Sequence, residues 1–339
     1  MKDPFCGITF ELLRDLMAKQ GFGDDIALKT VTNFYRRRIY DFSGMNNITK
    51  KVREFLEMRF EPGLFSPVRS ERSSDLSAKF LFISASQKSF ETVFIPDGKR
   101  RTVCVSTQSG CRMGCSFCLT GMYGFRGSLT TWEIINQVIS IPFSEEITHV
   151  VFMGMGEPLD NTDELLKACT ILTSSWGLAL SPRHITVSTV GITPEVERFL
   201  NESKCNLTLS LHSPFPRERA EVIPAEKRYP AGKIINMMKE FPSAKKRRFS
   251  VAYIMIKDLN DSDTHLEELI RLLSGTAIRV NLLPYHAIDR FPMVTSPPER
   301  MEYFSQKLAA SGISASVRRS RGADISAACG LLAANKFNK

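Results

Sequence analysis

The sequence predicts an α/β protein, a partial (β/α)6 barrel behind a small N-terminal helical domain. Extended apolar runs alternate with amphipathic helical runs between residues 102 and 311, and regular strand–helix alternation implies a parallel sheet with right-handed crossovers. About six such units are present, short of the eight that close a full barrel. Before residue 75 the periodicity is helical only.

In chain order, residues 10–19, 28–40 and 48–59 place apolar side chains at helical spacing. The polar stretch 69–77 reads as a boundary. Residues 79–83 and 91–95 are extended, and Pro96-Asp97-Gly98 signals a turn before the next strand. Strand-like runs follow at 102–106, 149–153, 184–188, 206–211, 249–256 and 278–283. Helical runs lie between them at 131–140, 163–174, 194–202, 231–240 and 264–273, with 299–310 after the last. The expected division is an accessory domain over 1–75 and a main domain over 76–339. The main domain comprises a β-extension (76–101), a barrel core (102–311) and a C-terminal segment that carries Cys329. Ligands of parallel α/β sheets gather at the carboxyl ends of the strands, and every unusual motif here falls just after a strand-like run.

At 339 residues with 43% hydrophobic and 24% charged content, the composition is that of a globular protein. No apolar run approaches the roughly 20 residues of a membrane helix. The N-terminus lacks the charged start and apolar run of a secretory signal. A cytoplasmic, monomeric protein without a membrane partner is expected. The net charge is +9. Its basic residues cluster at Arg36-Arg37-Arg38, Lys50-Lys51 with Arg53, Lys99-Arg100-Arg101, Lys245-Lys246-Arg247-Arg248, and Arg318-Arg319 with Arg321. Each cluster reads either as a solvated face or as an attractor of polyanions such as nucleic acid.

The eight cysteines do not read as a disulfide scaffold, because the chain is neither small nor secreted. Cys169 and Cys205 fall on helical and strand patterns and read as core thiols. Cys111-Arg112-Met113-Gly114-Cys115-Ser116-Phe117-Cys118 is different: three closely spaced thiols sit on a loop after the first barrel strand. Soft thiolates suit iron–sulfur clusters or zinc. Structural zinc and ordinary clusters take four protein ligands, and no fourth cysteine or histidine follows nearby. Three ligands leave one metal position open for chemistry. Gly154-Met155-Gly156-Glu157-Pro158 follows the second barrel strand, either as a tight turn or as a close approach to a ligand with Glu157 accepting from an ammonium group. Ser188 ends the third strand-like run, and Ser210-Leu211-His212 the fourth. Cys104 precedes the cysteine loop, and Cys329 lies in a small-residue segment. By spacing alone Cys329 reads as a plain thiol.

The C-x3-C-x2-C spacing resembles that of the radical-SAM superfamily, in which S-adenosylmethionine (SAM) chelates the open iron of a 4Fe-4S cluster. Together, the blocks resemble the radical-SAM RNA methyltransferases of the RlmN and Cfr type. They include Glu91-Thr92-Val93, Cys104 through Cys118, Gly154 to Pro158, Leu180-Ser181-Pro182-Arg183, Ser188 to Gly191, Ser210 to Ser213, Asn260-Asp261-Ser262 and Asp324 to Gly330. The resemblance implies a radical-SAM barrel that methylates carbon 2 or carbon 8 of an adenine in RNA. Ribosomal RNA of the large subunit (23S) is the implied target, with transfer RNA as a further one, and flavodoxin or ferredoxin the implied electron donor. It makes Cys111, Cys115 and Cys118 the cluster ligands. Gly156, Glu157, Ser188, Ser210, Leu211 and His212 match SAM-contacting positions. His286 stands where the family usually has asparagine. Cys329 matches the cysteine that first receives a methyl group, Cys104 its disulfide partner, and Glu91 the proton acceptor. The N-terminal segment with Arg36, Arg37, Arg38, Lys50 and Lys51 is the expected accessory RNA-binding surface. Two alternatives remain: a radical-SAM enzyme acting on another substrate, and a metal-stabilised RNA-binding protein.

Overall fold

The computed structural model describes residues 2–242, 247–288 and 291–333. Three helices open the chain: α1 (Phe10–Ala18), α2 (Asp24–Tyr35) and α3 (Lys50–Arg59). The hydroxyls of Thr9 and Thr49 cap the first turns of α1 and α3. The second helix begins and ends earlier than its apolar spacing predicts. Asp24 and Asp25 supply a favourable first turn, and Arg38 adopts a left-handed φ of 55° that no helix continues through. The helices bury an aromatic knot in which Phe5 meets Phe34, Phe42 and Phe60 at centroid distances of 4.7, 5.3 and 5.4 Å.

A ten-stranded sheet follows. Its first strands, β1 (Arg69–Arg72), β2 (Ala78–Ile83), β3 (Ser89–Asp97) and β4 (Arg100–Cys104), pair antiparallel in sequence. From β4 the sheet is parallel through β5 (His149–Phe152), β6 (Ile185–Thr189), β7 (Asn206–Ser210), β8 (Phe249–Met255), β9 (Arg279–Pro284) and β10 (Ala315–Val317). Strand order is strictly sequential, as a partial barrel built of β/α units requires. After the short α4 (Leu119–Met122), the helices that follow are α5 (Thr131–Ile139), α6 (Thr162–Thr173), α7 (Thr193–Glu202), α8 (Pro216–Val222), α9 (Ala231–Glu240), α10 (Asp263–Leu273) and α11 (Pro298–Ala310).

Three departures from the sequence reading have physical causes. The polar stretch read as a boundary forms the edge strand β1, whose residues are mostly exposed and so carry no apolar alternation. Both α8 and β10 were unforeseen, each too short for periodicity to register. Arg247, read as part of a basic surface run, is buried: it donates to Leu200 O at 3.1 Å and lies over the Phe241 ring at 5.2 Å. Lys245 and Lys246 of that run lie outside the described residues.

The barrel strands have two unlike faces. Val150, Phe152, Ile185 and Val187 are fully buried on the side of the helices, while His149, Val151, Thr186 and Ser188 alternate with them and are only half-buried. The helical N-terminus docks on this frame partly through Arg36, which donates to Ser175 O at 2.8 Å, and Arg38, which donates to Ser144 O at 2.8 Å. Buried Tyr35 joins the first turn to α2, its hydroxyl accepting from Gly7 N at 2.9 Å and donating to Ile8 O at 2.9 Å. Tyr35→Phe strips both groups of their partner and lowers unfolding free energy by about 1–3 kcal/mol. Urea melts of the two proteins measure this, and equal midpoints would show that the pair contributes nothing.

Candidate active site

Beyond β4 the chain is held by backbone and hydroxyl contacts before it reaches the cysteine loop. The Ser106 hydroxyl donates to Glu91 O at 2.5 Å and accepts from Met155 N at 2.8 Å. A small hairpin of Gln108–Gly110 with Phe125–Ser128 closes the base of the loop. Gly110 has φ +78° and would drive a Cβ into the Gly124 carbonyl, so only glycine fits there. Inside the loop, Cys115 is buried against Val190, Val222 and Ile223, and Ser116 N donates to Val222 O at 3.1 Å. Cys111 and Cys118 are half-buried.

The three thiols lie within electrostatic reach of one another. Burial pushes Cys111 up to about 12, with Glu157, Cys118 and Asp160 adding to it. Burial also raises Cys115 well above its ordinary value; Cys118 and Cys111 add, and Arg219 opposes. Thiolate repulsion of this kind is relieved when metal takes the place of the protons. Among the described residues, no three Cys, His, Asp or Glu side chains converge on a single ion. Ligands of a cube-shaped cluster each bind a different iron, so a one-ion convergence is not what such a group demands. The soft donor set fits iron–sulfur.

The carboxyl ends of the neighbouring strands converge beside the loop. Glu157 is buried, and one of its oxygens accepts from Thr189 Oγ1 at 2.6 Å and Leu159 N at 3.0 Å, the other from Val190 N at 2.9 Å. Burial nonetheless lifts its carboxyl to about 7. Glu157 thus ties the loop after β5 to the end of β6. Gly156, at φ +99°, lets that loop pass Gln108, whose Cβ a side chain would strike at 2.5 Å. Ser188 lines the inner face of β6, and Ser210 ends β7 with its carbonyl accepting from Arg219. Leu211 is buried and bonded to Ala252 O at 3.0 Å.

His212 is buried in a left-handed conformation, φ 57°. Its Nδ1 accepts from Ile254 N at 3.0 Å, its carbonyl accepts from Asn260 Nδ2 at 2.7 Å, and Phe117 of the cysteine loop meets its ring edge-on at 4.7 Å. An accepting Nδ1 fixes the neutral tautomer with hydrogen on Nε2. His286 follows β9, half-buried, with Nε2 at 2.8 Å from Ser320 Oγ; burial lowers its pKa.

The C-terminal segment brings the distant groups together. Leu119 N donates to Gly330 O at 2.8 Å, Thr120 Oγ1 to Leu332 O at 2.7 Å, and Ala333 N to Glu91 Oε2 at 2.8 Å. Upstream, Asp324 accepts from Ser73 Oγ at 2.6 Å, and Lys79 Nζ donates to Ile325 O at 2.7 Å while standing 3.5 Å from Glu91. Burial raises the Glu91 carboxyl, and Lys79 and the Ala333 amide offset it. Cys104 is buried, and Cys329 keeps a solvent-facing side. Burial lifts both thiols; Cys329 adds to the shift of Cys104, and Cys118 to that of Cys329. Glu91, Cys104, Cys329 and the cysteine loop therefore meet in one place.

Sequence reading missed Arg219, Gln108 and Lys79, which hold this site from beneath. Arg219 is fully buried, paired with Glu226, and donates to Val190 O at 2.7 Å, Ser210 O at 2.8 Å and Leu211 O at 3.1 Å. It carries no sequence signal, because a charged residue on a short polar helix reads as surface.

A model described as the Radical SAM superfamily matches residues 105–273. Among solved structures, a radical SAM methyltransferase from Sphaerobacter thermophilus is similar with a TM-score of 0.89 and 36% identity, over 98% of this chain and 100% of that one. Fold and loop thus define a radical-SAM protein, a class that implies a 4Fe-4S cluster and SAM. A Parabacteroides distasonis protein named a probable dual-specificity RNA methyltransferase RlmN is 44% identical over 99% of this chain and 98% of its own length. A Thermus thermophilus protein of that name is 39% identical over 88% of this chain and 86% of its own. The chain belongs to the RlmN family.

Burial, with Arg219 adding, depresses His212 from 6.5 to about 3. Between those values the unfolded chain binds a proton that the folded one refuses. Stability is therefore lost as pH falls through this window, by up to about 1.4 kcal/mol per pH unit. His149 is depressed from 6.5 to about 4 in the same sense, so His212→Asn, which keeps an acceptor for Ile254 N, makes the slope shallower by the share of His212, as urea midpoints of the metal-free protein across the window will read. An unchanged slope would mean that His212 has no share in it.

Proposed function

We propose that this protein methylates an adenine ring carbon of RNA, with Cys329 carrying the methyl group. Relatives sharing 39 to 44% identity are named RNA methyltransferases, and the adenine-carbon chemistry is what the sequence blocks imply. The reading rests on one observation: the segment bearing Cys329 docks at once on the cysteine loop, on Glu91 and near Cys104.

In this reading Cys111, Cys115 and Cys118 hold the cluster. Gly156, Glu157, Ser188, Ser210, Leu211, His212 and His286 line the SAM site. When bound, the cluster would supply the electron that cleaves SAM reductively to a carbon radical. Cys329 provides a thiolate for the methyl group. Its exposed side faces the incoming base, which must stand unstacked to be reached. Glu91 takes the proton lost from the base carbon, and Lys79 and the Ala333 amide hold its carboxylate in place. Once the methyl carbon on Cys329 has bonded to the base, the Cys104 thiolate attacks the Cys329 sulfur; the disulfide forms as the carbon–sulfur bond breaks, and that bond's electron pair leaves with the methylated base. Large-subunit ribosomal RNA is the substrate we assign, with flavodoxin or ferredoxin as electron donor.

Cys329→Ala abolishes methylation, because no thiolate remains to carry the methyl. Cys104→Ala stalls one step later and accumulates protein covalently joined to RNA through Cys329. Denaturing gels before and after nuclease read the adduct. Normal methylation by Cys104→Ala with no adduct would sink the paired-cysteine mechanism. Glu91→Gln slows product formation by about 10²–10⁴-fold, the usual worth of a positioned base, and an unchanged rate would remove Glu91 from it. Mass spectrometry of nucleosides from a null strain expressing the protein assigns carbon 2 or carbon 8.

A further inference from the structure

The inner face of the barrel carries charge that this chemistry leaves unused. Register pairs Thr102 of β4 with His149 of β5, Thr186 of β6 with Asn206 of β7, and Ser250 of β8 with Arg279 of β9. Partners across a ladder share a face, as do residues two apart on one strand. Arg100, two residues before Thr102, and Arg248, two before Ser250, therefore face the same way as Arg279. Arg248 N donates to Asn206 Oδ1 at 3.0 Å, which fixes that register. His149 and His184 stack at 4.3 Å between them.

Arg318 joins the group from the far edge, donating to Asn281 Oδ1 at 2.8 Å. The ion pair Arg321–Asp97, at 3.0 Å, draws the chain after β10 back to the turn between β3 and β4. Arg100 is half-buried, while Arg248, Arg279 and Arg318 are exposed. These cations are close enough to disfavour one another: burial lowers the Arg100 pKa first, then Arg318 and Arg248, and Arg248 is lowered by burial, Arg279 and Arg318. Among the described residues, no carboxylate forms an ion pair with any of the four. The neighbouring acids Asp97 and Glu146 are taken by Arg321 and Arg101.

Three guanidinium groups stand at the amino ends of β4, β8 and β9, and Arg318, which follows the carboxyl end of β10, reaches back to Asn281 beside them; such a group repels itself unless an anion joins it. Planar guanidinium forks match phosphate oxygens two at a time. We propose that Arg100, Arg248, Arg279 and Arg318 form a phosphate-binding site at the amino-terminal mouth of the barrel. On β4 its Arg100 lies at the opposite end of the strand from Cys104, four residues or about 13 Å away. It does not depend on the methyl-transfer reading. Its phosphate belongs either to the backbone of a bound RNA or to a free polyphosphate.

The test compares the full chain with R248Q/R279Q and R248K/R279K. A labelled RNA hairpin is titrated by fluorescence anisotropy at several salt concentrations, and inorganic tripolyphosphate is added in thermal melts. If RNA backbone is the ligand, the glutamine pair weakens hairpin binding about tenfold. It also reduces the log–log salt slope by about 1–2, near the value for one or two lost phosphate contacts. The lysine pair, which keeps the charge, retains the slope. If a free polyphosphate is the ligand, tripolyphosphate raises the melting temperature of the wild type and not that of the glutamine pair, with hairpin affinity unchanged. Melts without anion and circular dichroism show whether the variants fold. Glutamine-pair behaviour equal to wild type in both assays overturns the site, as does a loss equally deep in the lysine pair accompanied by a lower anion-free melting temperature.

Discussion

The buried guanidinium of Arg219 organises the carboxyl ends of the central strands. Parallel strands end with carbonyls aimed into the site, and those carbonyls need donors once loops cover them. Arg219 supplies them to Val190, Ser210 and Leu211 at once. A cation held this far from water is tolerable only when paired, and Glu226 is its partner. Val190 is fixed from the other side as well, its amide bonded to Glu157. The loops after β5, β6 and β7 are thereby locked into one constellation, and Cys115 packs directly on it.

The C-terminal segment obeys a different constraint. It reaches residues 242 to 251 positions away in sequence by donating to Glu91 from the Ala333 amide and by accepting from Lys79, Ser73 and Ser74. Closing so long a loop costs entropy that grows only slowly with length, so a handful of charge-assisted bonds suffices to seat it. Ala327, Ala328 and Gly330 keep the segment slim enough to lie against the cysteine loop, where a Cβ on Gly330 would come within 3.1 Å of Phe117 O. Such polar anchoring suits a residue that meets several partners in turn, as Cys329 does in the proposed cycle.

The sheet's two faces divide the work. Apolar side chains turned toward the helices provide burial, which stabilises the barrel at roughly 25 cal/mol per Å². That frees the inner face to be polar, with thiol and hydroxyls at the carboxyl end and arginines at the amino end. Arg36 and Arg38, within the segment expected to face RNA, also dock the N-terminal helices on the barrel. Basic runs in a sequence do not reveal which cations are already spoken for.

The sequence by itself determined the parallel barrel, the cysteine loop and the order of the strand-end motifs. Those features are local: strand and helix periods, thiol spacing and glycines in turns are all legible within a few residues. The strand boundaries followed within one to a few positions, since hydrophobic alternation marks the buried stretch. Tertiary structure alone decided which polar residues are buried. Arg219, Arg247 and Lys79 have the composition of surface residues, and only the fold places carbonyls, rings and carboxylates around them. The same holds for the edge strand β1 and the short β10, which carry no apolar signal because pairing, not burial, makes them strands. The gathering of Glu91, Cys104 and Cys329 beside the loop is also a tertiary fact. It depends on Asp324, Lys79 and Glu91 bridging separations that no periodicity can encode.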